Sequence, residues 1–415
     1  MTQTILDSPP IAPRIDPPIR PLMLMGTRPE AIKMAPVVLA ARQSPDFDPV
    51  VCSTGQHRQM LDQVLGYFDI QPEIDLNLMR PGQTLSGLTG LLVSELDALI
   101  RRQSDAAGLD CVVVQGDTTT VMVGAMIAFY HRTPVVHVEA GLRTGDLDAP
   151  WPEEFNRRVA GIVASLHCAP TERAAAALRR EHVAEHDIRV TGNTVIDALA
   201  MSVRRERGND DQWRRTYPML AGDGPVVLIT GHRRENFGQA MHQVCSAIGD
   251  VADQHPDVTF IYPVHLNPNV QAPVQACLGG RANVHLLPPA DYPAFVWLMD
   301  RSDVVLTDSG GVQEEAPSLR CRVLVTREKT ERPEAIEAGL VRLVGTDRER
   351  IVRELGDAVA ASLHERATRN PQWPSESDRD STIANNPYGD GHASERILDW
   401  MRQRFSTRRR QRRPQ

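Results

Sequence analysis

Residues 22–33 read Leu-Met-Leu-Met-Gly-Thr-Arg-Pro-Glu-Ala-Ile-Lys. Four apolar residues in a row read as a strand buried on both faces, because a strand with one wet face alternates. Gly26 and Thr27 end it, and a helical pattern runs from Glu30 to Arg42. The unit recurs: 50–53 precedes 59–68, 111–114 precedes 120–131, 135–138 precedes 153–165, and 226–230 precedes 240–255. Apolar runs at 259–264, 284–287, 304–307 and 323–326 continue the rhythm. Such alternation predicts an α/β fold of parallel sheets covered by helices on both faces. The strands are too many for one ordinary sheet. The mostly helical or polar stretch 189–224 is expected to join two doubly wound domains.

The rest of the composition bounds the function. At about 150 residues per domain, 415 residues suggest two to three domains. Lys and Arg number 46 against 53 Asp and Glu, a net charge of −7. That balance argues against nucleic acid or an acidic membrane as the main partner. No apolar run approaches the ~18–20 residues of a membrane span. Residues 1–21 lack the basic start and apolar centre of a signal peptide. Their repeated prolines read as a flexible leader. The six cysteines are scattered without a C-x-x-C, as in a reduced cytoplasmic protein. Residues 406–415, STRRRQRRPQ, read as a basic, solvated, disordered end.

Ligands of open α/β sheets bind beyond the carboxyl ends of the strands. Gly26, Thr27 and Arg28 follow the first strand, Gly55, Gln56 and His57 the second, and Gly116 and Asp117 the third. Glu139, Gly141 and Arg143 follow the fourth. His232 and Arg233, then His265, then Asp308, Ser309, Gly310 and Gly311 occupy the same places in the second half. Turn chemistry explains the glycines but not the charged residues. A cleft between two facing sheet edges is the expectation. Ser309 is placed to cap a helix, and Gly310 and Gly311 would let a phosphate approach its first N–H groups. Arg28, Lys33, His232 and Arg332 would complete a cationic diphosphate site. The G-x-x-x-x-G-K-S/T phosphate loop is absent, and GTRPEA is not G-x-G-x-x-G, so a nicotinamide or flavin is poorly supported.

Asp117, Glu139 and Glu153 form a second class, since carboxylates in a cleft suit acid–base chemistry. Glu153 and Glu154 also fit a plainer role as dipole-stabilised acids after Pro152. His182 to His186 matches H-x-x-E-H, but its polar setting reads as a solvated helix end rather than a metal site. His137, inside an apolar strand, reads as a satisfied core histidine.

Together these segments resemble the non-hydrolysing UDP-N-acetylglucosamine 2-epimerases. The resemblance rests on Gly26 to Lys33, Gly116 to Thr120, His137 to Arg143, Pro152-Glu153-Glu154 with Asn156-Arg157, and Thr191-Gly192-Asn193. It continues through Thr230 to Glu235, Tyr262 to His265, Asp308 to Ser318, Thr330 to Glu334 and Asn386 to Gly391, covering roughly residues 22–404. It implies a GT-B-like fold of two Rossmann-like domains, 22–192 and 193–379. A C-terminal helix, 380–405, would pack back on the first. It implies a homodimer, no cofactor and no metal, and a UDP-sugar substrate in polysaccharide biosynthesis. UDP-GlcNAc and UDP-ManNAc would interconvert through anti elimination of UDP to 2-acetamidoglucal and its re-addition.

By the same resemblance, Asp117, Glu139 and Glu153 are the acid–base set, with the face of C2 that each serves unassigned. His232 lies against the diphosphate, with Arg28 and Lys33 assisting. Ser309, Gly310 and Gly311 bind phosphate, Glu315 the ribose, Phe295 the uracil region and Arg332 the nucleotide side. Gln56, His57, Arg234 and His265 match positions that line a second, regulatory UDP-GlcNAc site in bacterial members. The sequence departs from the family at Ala290 (commonly Gln), at Gln115 (frequently His) and at Leu319-Arg320-Cys321-Arg322 (commonly Leu-Gly-Lys-Pro). The competing readings are a 2-epimerase of a related sugar such as a UDP-2,3-diacetamido glucuronate, a hydrolysing epimerase, a GT-B glycosyltransferase and a non-catalytic UDP-sugar-binding regulator.

Overall fold

The structure is a computed structural model that describes residue 15 and residues 17–55, 58–80, 82–222, 224–368 and 386–412. The first sheet has seven strands. They are β1 (Pro21–Met25), β2 (Val50–Ser53), β3 (Ile74–Asp75), β4 (Cys111–Gln115), β5 (Val135–Val138), β6 (Leu166–Ala169) and β7 (Ile188–Val190). Their order is β3-β2-β1-β4-β5-β6-β7. The helices between them are α1 (Arg28–Gln43), α2 (Arg58–Tyr67), α3 (Leu85–Ala107), α4 (Thr119–Tyr130), α5 (Glu153–Val163) and α6 (Glu172–Arg180). β1 pairs in parallel with both β2 and β4, with Leu22 opposite Val50 on one side and Val112 on the other. All five residues of β1 and of β4 are buried, as strands covered on both faces must be.

The second sheet is parallel throughout, in the order β10-β9-β8-β11-β12-β13. Its strands are β8 (Val226–Thr230), β9 (Thr259–Pro263), β10 (Val284–Leu287), β11 (Val304–Thr307), β12 (Arg322–Val325) and β13 (Val341–Leu343). Two helices, α7 (Thr194–Gly208) and α8 (Asp210–Thr216), precede it. Those wound through it are α9 (Gln239–Gln254), α10 (Pro268–Leu278), α11 (Tyr292–Asp300), α12 (Gly310–Glu315), α13 (Pro333–Glu337) and α14 (Arg348–Thr368). The last helix, α15, spans Ala393–Arg412. Both sheets are doubly wound and Rossmann-like, as the alternation predicts. Among the described residues no helix is long and apolar enough to cross a membrane.

By packing, the described residues form two compact units. One draws on Met1–Val138, Trp151–His167 and Glu395–Gln415, the other on Glu139–Pro150 and Cys168–Ser394. Leu22, Leu24, Leu92, Leu96, Val112 and Val114 lie at the centre of the first. In the same unit Arg402 of α15 pairs with Asp46 at 2.8 Å. Val227, Ile229, Ile248, Phe260, Leu306 and Leu355 centre the second.

Both chain ends are more ordered in part than the composition suggests. Most of the leader lies outside the described residues, but its last part is extended and packed. Ile19 is fully buried, its N–H donates to the Asp46 carbonyl, and its own carbonyl accepts from Asp48. An apolar side chain with a strand-like backbone partner outweighs the neighbouring prolines. At the other end α15 carries its helix through Arg412, so the arginine run begins as helix. Residues 413–415 lie outside the described part.

One backbone conformation has a stability consequence. Arg320 adopts φ +60° and ψ 11°. A side chain in this left-handed region clashes with its own backbone, a cost that glycine escapes. Arg320→Gly is therefore expected to stabilise the fold by about 0.5–1 kcal/mol, net of the greater freedom of an unfolded glycine. Urea unfolding of the full chain checks this through a higher midpoint at unchanged slope. The neighbouring Arg322 uses what a proline would lack, since its N–H donates to the Asp303 carbonyl at 2.9 Å.

Candidate active site

In each sheet the winding reverses between two central strands, β1 and β4 in the first, β8 and β11 in the second. A crevice for ligands opens at such a point. In the first sheet it brings the Gly26–Glu30 turn beside Gly116–Thr118. Glu30, deeply buried, accepts the N–H groups of Gly26 and Thr27 at 3.0 and 2.7 Å and the Thr118 hydroxyl at 2.8 Å. Burial pushes its carboxyl above the ordinary value, against the pull of those hydrogen bonds. Thr27 and Glu30 have the T-x-x-E spacing of a capping box, a legible signal for a role the sequence reading missed. Arg28 begins α1 and is exposed, and Lys33 lies partly buried along the same helix.

Asp117 follows β4 and is held by two residues of α5. Its carboxylate pairs with Arg157, and its carbonyl accepts from Asn156 at 3.0 Å. Arg157 also meets Glu154, which pairs with Arg158 as well, at 3.3 and 3.1 Å. Glu154 is fully buried, so its role exceeds that of a dipole-stabilised surface acid. It fixes the guanidinium that fixes Asp117. Glu153 is the first residue of α5 and is partly buried. His137 is a buried core histidine, its Nε2–H donating to the Gly116 carbonyl at 2.7 Å.

The second sheet repeats the device. Asp308, wholly buried at the end of β11, accepts the N–H groups of His232 and Arg233, each at 2.9 Å. The Asn236 amide adds a longer contact at 3.4 Å. The His232 ring, half exposed, sets Nδ1 3.4 Å from the other Asp308 oxygen. It stacks on His265, with ring centroids 5.8 Å apart. Arg233 donates through Nε to the Asp308 carbonyl at 3.1 Å. Burial, with Arg327 close by, depresses its guanidinium. Ser309 occupies the cap position of α12 by backbone, but its hydroxyl makes no capping hydrogen bond. Instead its N–H donates to the Thr307 hydroxyl at 2.9 Å.

Arg332 lies against the start of α12. A Cβ at Gly310 would stand 2.8 Å from its guanidinium carbon, so a side chain there would displace the arginine. Arg332 donates through Nε to the buried Glu314 at 2.7 Å. Burial would lower this guanidinium, but Glu314, Glu139 and Glu331 together hold it above its ordinary value. Glu139 is buried and has a left-handed backbone, φ +64°. It accepts from the Asn193 amide at 3.0 Å, and the same amide reaches Glu314 at 3.3 Å. Gly141 lets this turn pack on α6, since a Cβ there would fall 2.3 Å from the Ala174 carbonyl oxygen.

The remaining expected residues are scattered over the same unit. Glu315 is buried, with Oε2 3.8 Å from where a Gly311 Cβ would be. Phe295 lies partly buried in the first turn of α11, and Ala290 just precedes that helix. Arg234 and His265 are exposed. Gln56 and His57 lie outside the described residues. His182 and His186 are exposed beyond the end of α6, and among the described residues no metal-binding cluster of three ligands occurs.

A family model described as UDP-N-acetylglucosamine 2-epimerase matches residues 39–402. The UDP-N-acetylglucosamine 2-epimerase of Escherichia coli K12 is 49% identical over 382 residues, which are 91% of this chain and 97% of that protein. A Neisseria meningitidis UDP-GlcNAc 2-epimerase solved with UDP-GlcNAc bound is 42% identical. It superposes with a TM-score of 0.81 over 93% of this chain and 100% of its own. An S. aureus MnaA–UDP complex is 40% identical, with a TM-score of 0.76 over 93% and 96% of the two chains.

Proposed function

The chain belongs to the UDP-N-acetylglucosamine 2-epimerase family, and we propose that it interconverts UDP-GlcNAc and UDP-ManNAc by eliminating and re-adding UDP. The observation that carries the reading is one buried cluster, Glu139–Asn193–Glu314–Arg332. It supports the reading because the Glu139 carboxylate is linked through Asn193 and Glu314 to the Arg332 guanidinium. The C2 proton is not acidic, because no carbonyl lies beside it in the ring. Its loss must be coupled to breaking the anomeric C–O bond. That requires a carboxylate at C2 and positive charge on the leaving group.

Asp117, Glu139 and Glu153 then form the acid–base set. One removes the C2 proton as UDP departs, leaving 2-acetamidoglucal. A proton delivered to the opposite face as UDP re-adds gives the epimer. His232, Arg28 and Lys33 stabilise the diphosphate. Ser309, Gly310 and Gly311 take phosphate oxygens at the start of α12, Glu315 takes the ribose, Phe295 the uracil and Arg332 the nucleotide side. Arg234 and His265 keep the regulatory role that the resemblance implies for them, binding a second UDP-GlcNAc. The stacking of His265 on His232 supports that role, because it gives a second ligand a direct hold on a diphosphate residue. The functional form is a cytoplasmic homodimer.

Product analysis in deuterated water tests the reading. UDP-GlcNAc is expected to yield intact UDP-ManNAc carrying deuterium at C2. Free sugar with UDP would identify a hydrolysing enzyme, and transfer to an acceptor a glycosyltransferase. Turnover only of a UDP-2,3-diacetamido glucuronate would move the substrate within the family.

A further inference from the structure

We infer that Asn193 is a positioning residue for the reaction, holding the Glu139 carboxylate and tying it to the arginine that serves the nucleotide. The inference rests on the acid–base role proposed for Glu139. The orientation of the Asn193 amide is fixed by its partners. Its Oδ1 accepts the Val195 N–H at 3.1 Å as the cap of α7, so Nδ2 must face the other way. There its two hydrogens meet two carboxylates, Glu139 Oε1 at 3.0 Å and Glu314 Oε2 at 3.3 Å. Glu314 in turn accepts from Arg332 Nε at 2.7 Å.

The backbone under the amide is equally constrained. The Asn193 N–H donates to the Tyr388 carbonyl at 2.6 Å. The Asn386 amide of the same segment donates to the Glu314 carbonyl at 2.8 Å. Glu139 itself starts from a left-handed backbone, which an L residue adopts only where its surroundings hold it. A carboxylate thus held has few orientations, as a group that must meet one proton requires.

Two carboxylates on one amide repel each other, and the Arg332 charge, bonded to Glu314, offsets that repulsion. Charged groups near Glu139 include Arg332 and Glu314, with Glu331 and Arg233 near Arg332. A nucleotide that draws on Arg332 therefore acts on Glu139 through Glu314 and Asn193. Base and leaving-group site are coupled without touching.

The test uses the full chain and two variants. Asn193→Ser keeps a good helix cap and so the fold, but removes both Nδ2 hydrogens. It is expected to lower kcat roughly 10–100-fold, the usual result of losing orientation at a reacting centre, with UDP affinity within about threefold of wild type. Asn193→Asp keeps the cap and the shape but turns the donor into a third carboxylate. Like charge disfavours ionisation, so the acidic limb of its kcat profile is expected to move to higher pH by about one unit. Wild-type kcat and an unmoved acidic limb in both variants, with Glu139→Gln inactive, would overturn the inference alone. Full turnover of Glu139→Gln would overturn the acid–base reading and the inference with it. Reduced UDP affinity at unchanged kcat would show a binding role instead and also overturn it.

Discussion

Asp117→Asn is expected to cut turnover by about 10²–10⁴-fold while leaving UDP affinity close to wild type. The substitution keeps the volume and the backbone contact with Asn156 and removes only the ionisable oxygen. The fold should tolerate it. Arg157 retains Glu154, which is fully buried and contacts both Arg157 and Arg158, so no isolated charge is created. UDP should still bind, because the phosphate and base contacts proposed here lie elsewhere. Deuterium exchange into C2 should fall with turnover, since one group serves both. Single-turnover assays with UDP-GlcNAc and calorimetry with UDP check the two halves separately. Normal turnover in this variant would remove Asp117 from the acid–base set. Reduced UDP affinity with normal turnover would make it a binding residue.

What the sequence made legible follows from physical range. The inner strands announce themselves because burial on both faces demands unbroken apolar runs, as in residues 22–25 and 111–114. β3 and β13, two and three residues long, carry too little pattern to be seen. β6, Leu-His-Cys-Ala, has one large aliphatic side chain and no β-branched residue, too little to read as a strand. α3 was equally hidden despite its 23 residues, because Gly87 and Gly90 weaken the pattern of its first turns. The carboxylates at strand ends were legible, because topology alone puts residues after parallel strands on one edge. Their supports were not. Arg157 reaches Asp117 across 40 positions, and Asn193 reaches Glu139 across 54 and Glu314 across 121. Spacing within a helix or strand carries no information at such separations. Asn193 stands in the sequence only as part of the Thr191-Gly192-Asn193 segment, and its contacts depend on which carboxylates the fold brings beside it.

Both sheets solve one problem in one way, and this bears on how their loops stay in place. A turn that leaves a strand to meet a ligand has N–H groups with no strand to bond. In the first sheet Glu30 accepts two of them, from Gly26 and Thr27. In the second Asp308 accepts two, from His232 and Arg233. A buried acid acts as a fixed acceptor, so the turn is rigid before any ligand arrives. Such preorganisation matters where charge develops on a leaving group, because the donors then need not rearrange during the reaction.

Asp308→Ala is accordingly expected to be among the most damaging single changes in the second unit. It strands the N–H groups of His232 and Arg233 beside a wholly buried position and weakens the tether of Asn236. An unsatisfied buried donor costs about 1–3 kcal/mol, and since both bonds are part-buried the two together should cost roughly 1–3 kcal/mol. Asp308→Asn keeps an amide oxygen that can accept both N–H groups and should recover a large part of that loss. The order of stability, wild type above Asn above Ala, can be read from urea midpoints. Trp297, buried on α11 in this unit, provides a fluorescence reporter. UDP affinity should follow the same order, because the turn that carries His232 loosens with its anchor. An Asp308→Ala protein as stable as wild type would show that the turn is held by other contacts. A stable Asp308→Ala protein that nonetheless loses UDP would give Asp308 a direct part in binding. A stability loss equal in Asn and Ala would mean that the full charge, opposite His232 Nδ1 at 3.4 Å, and not the accepting oxygen, anchors the turn.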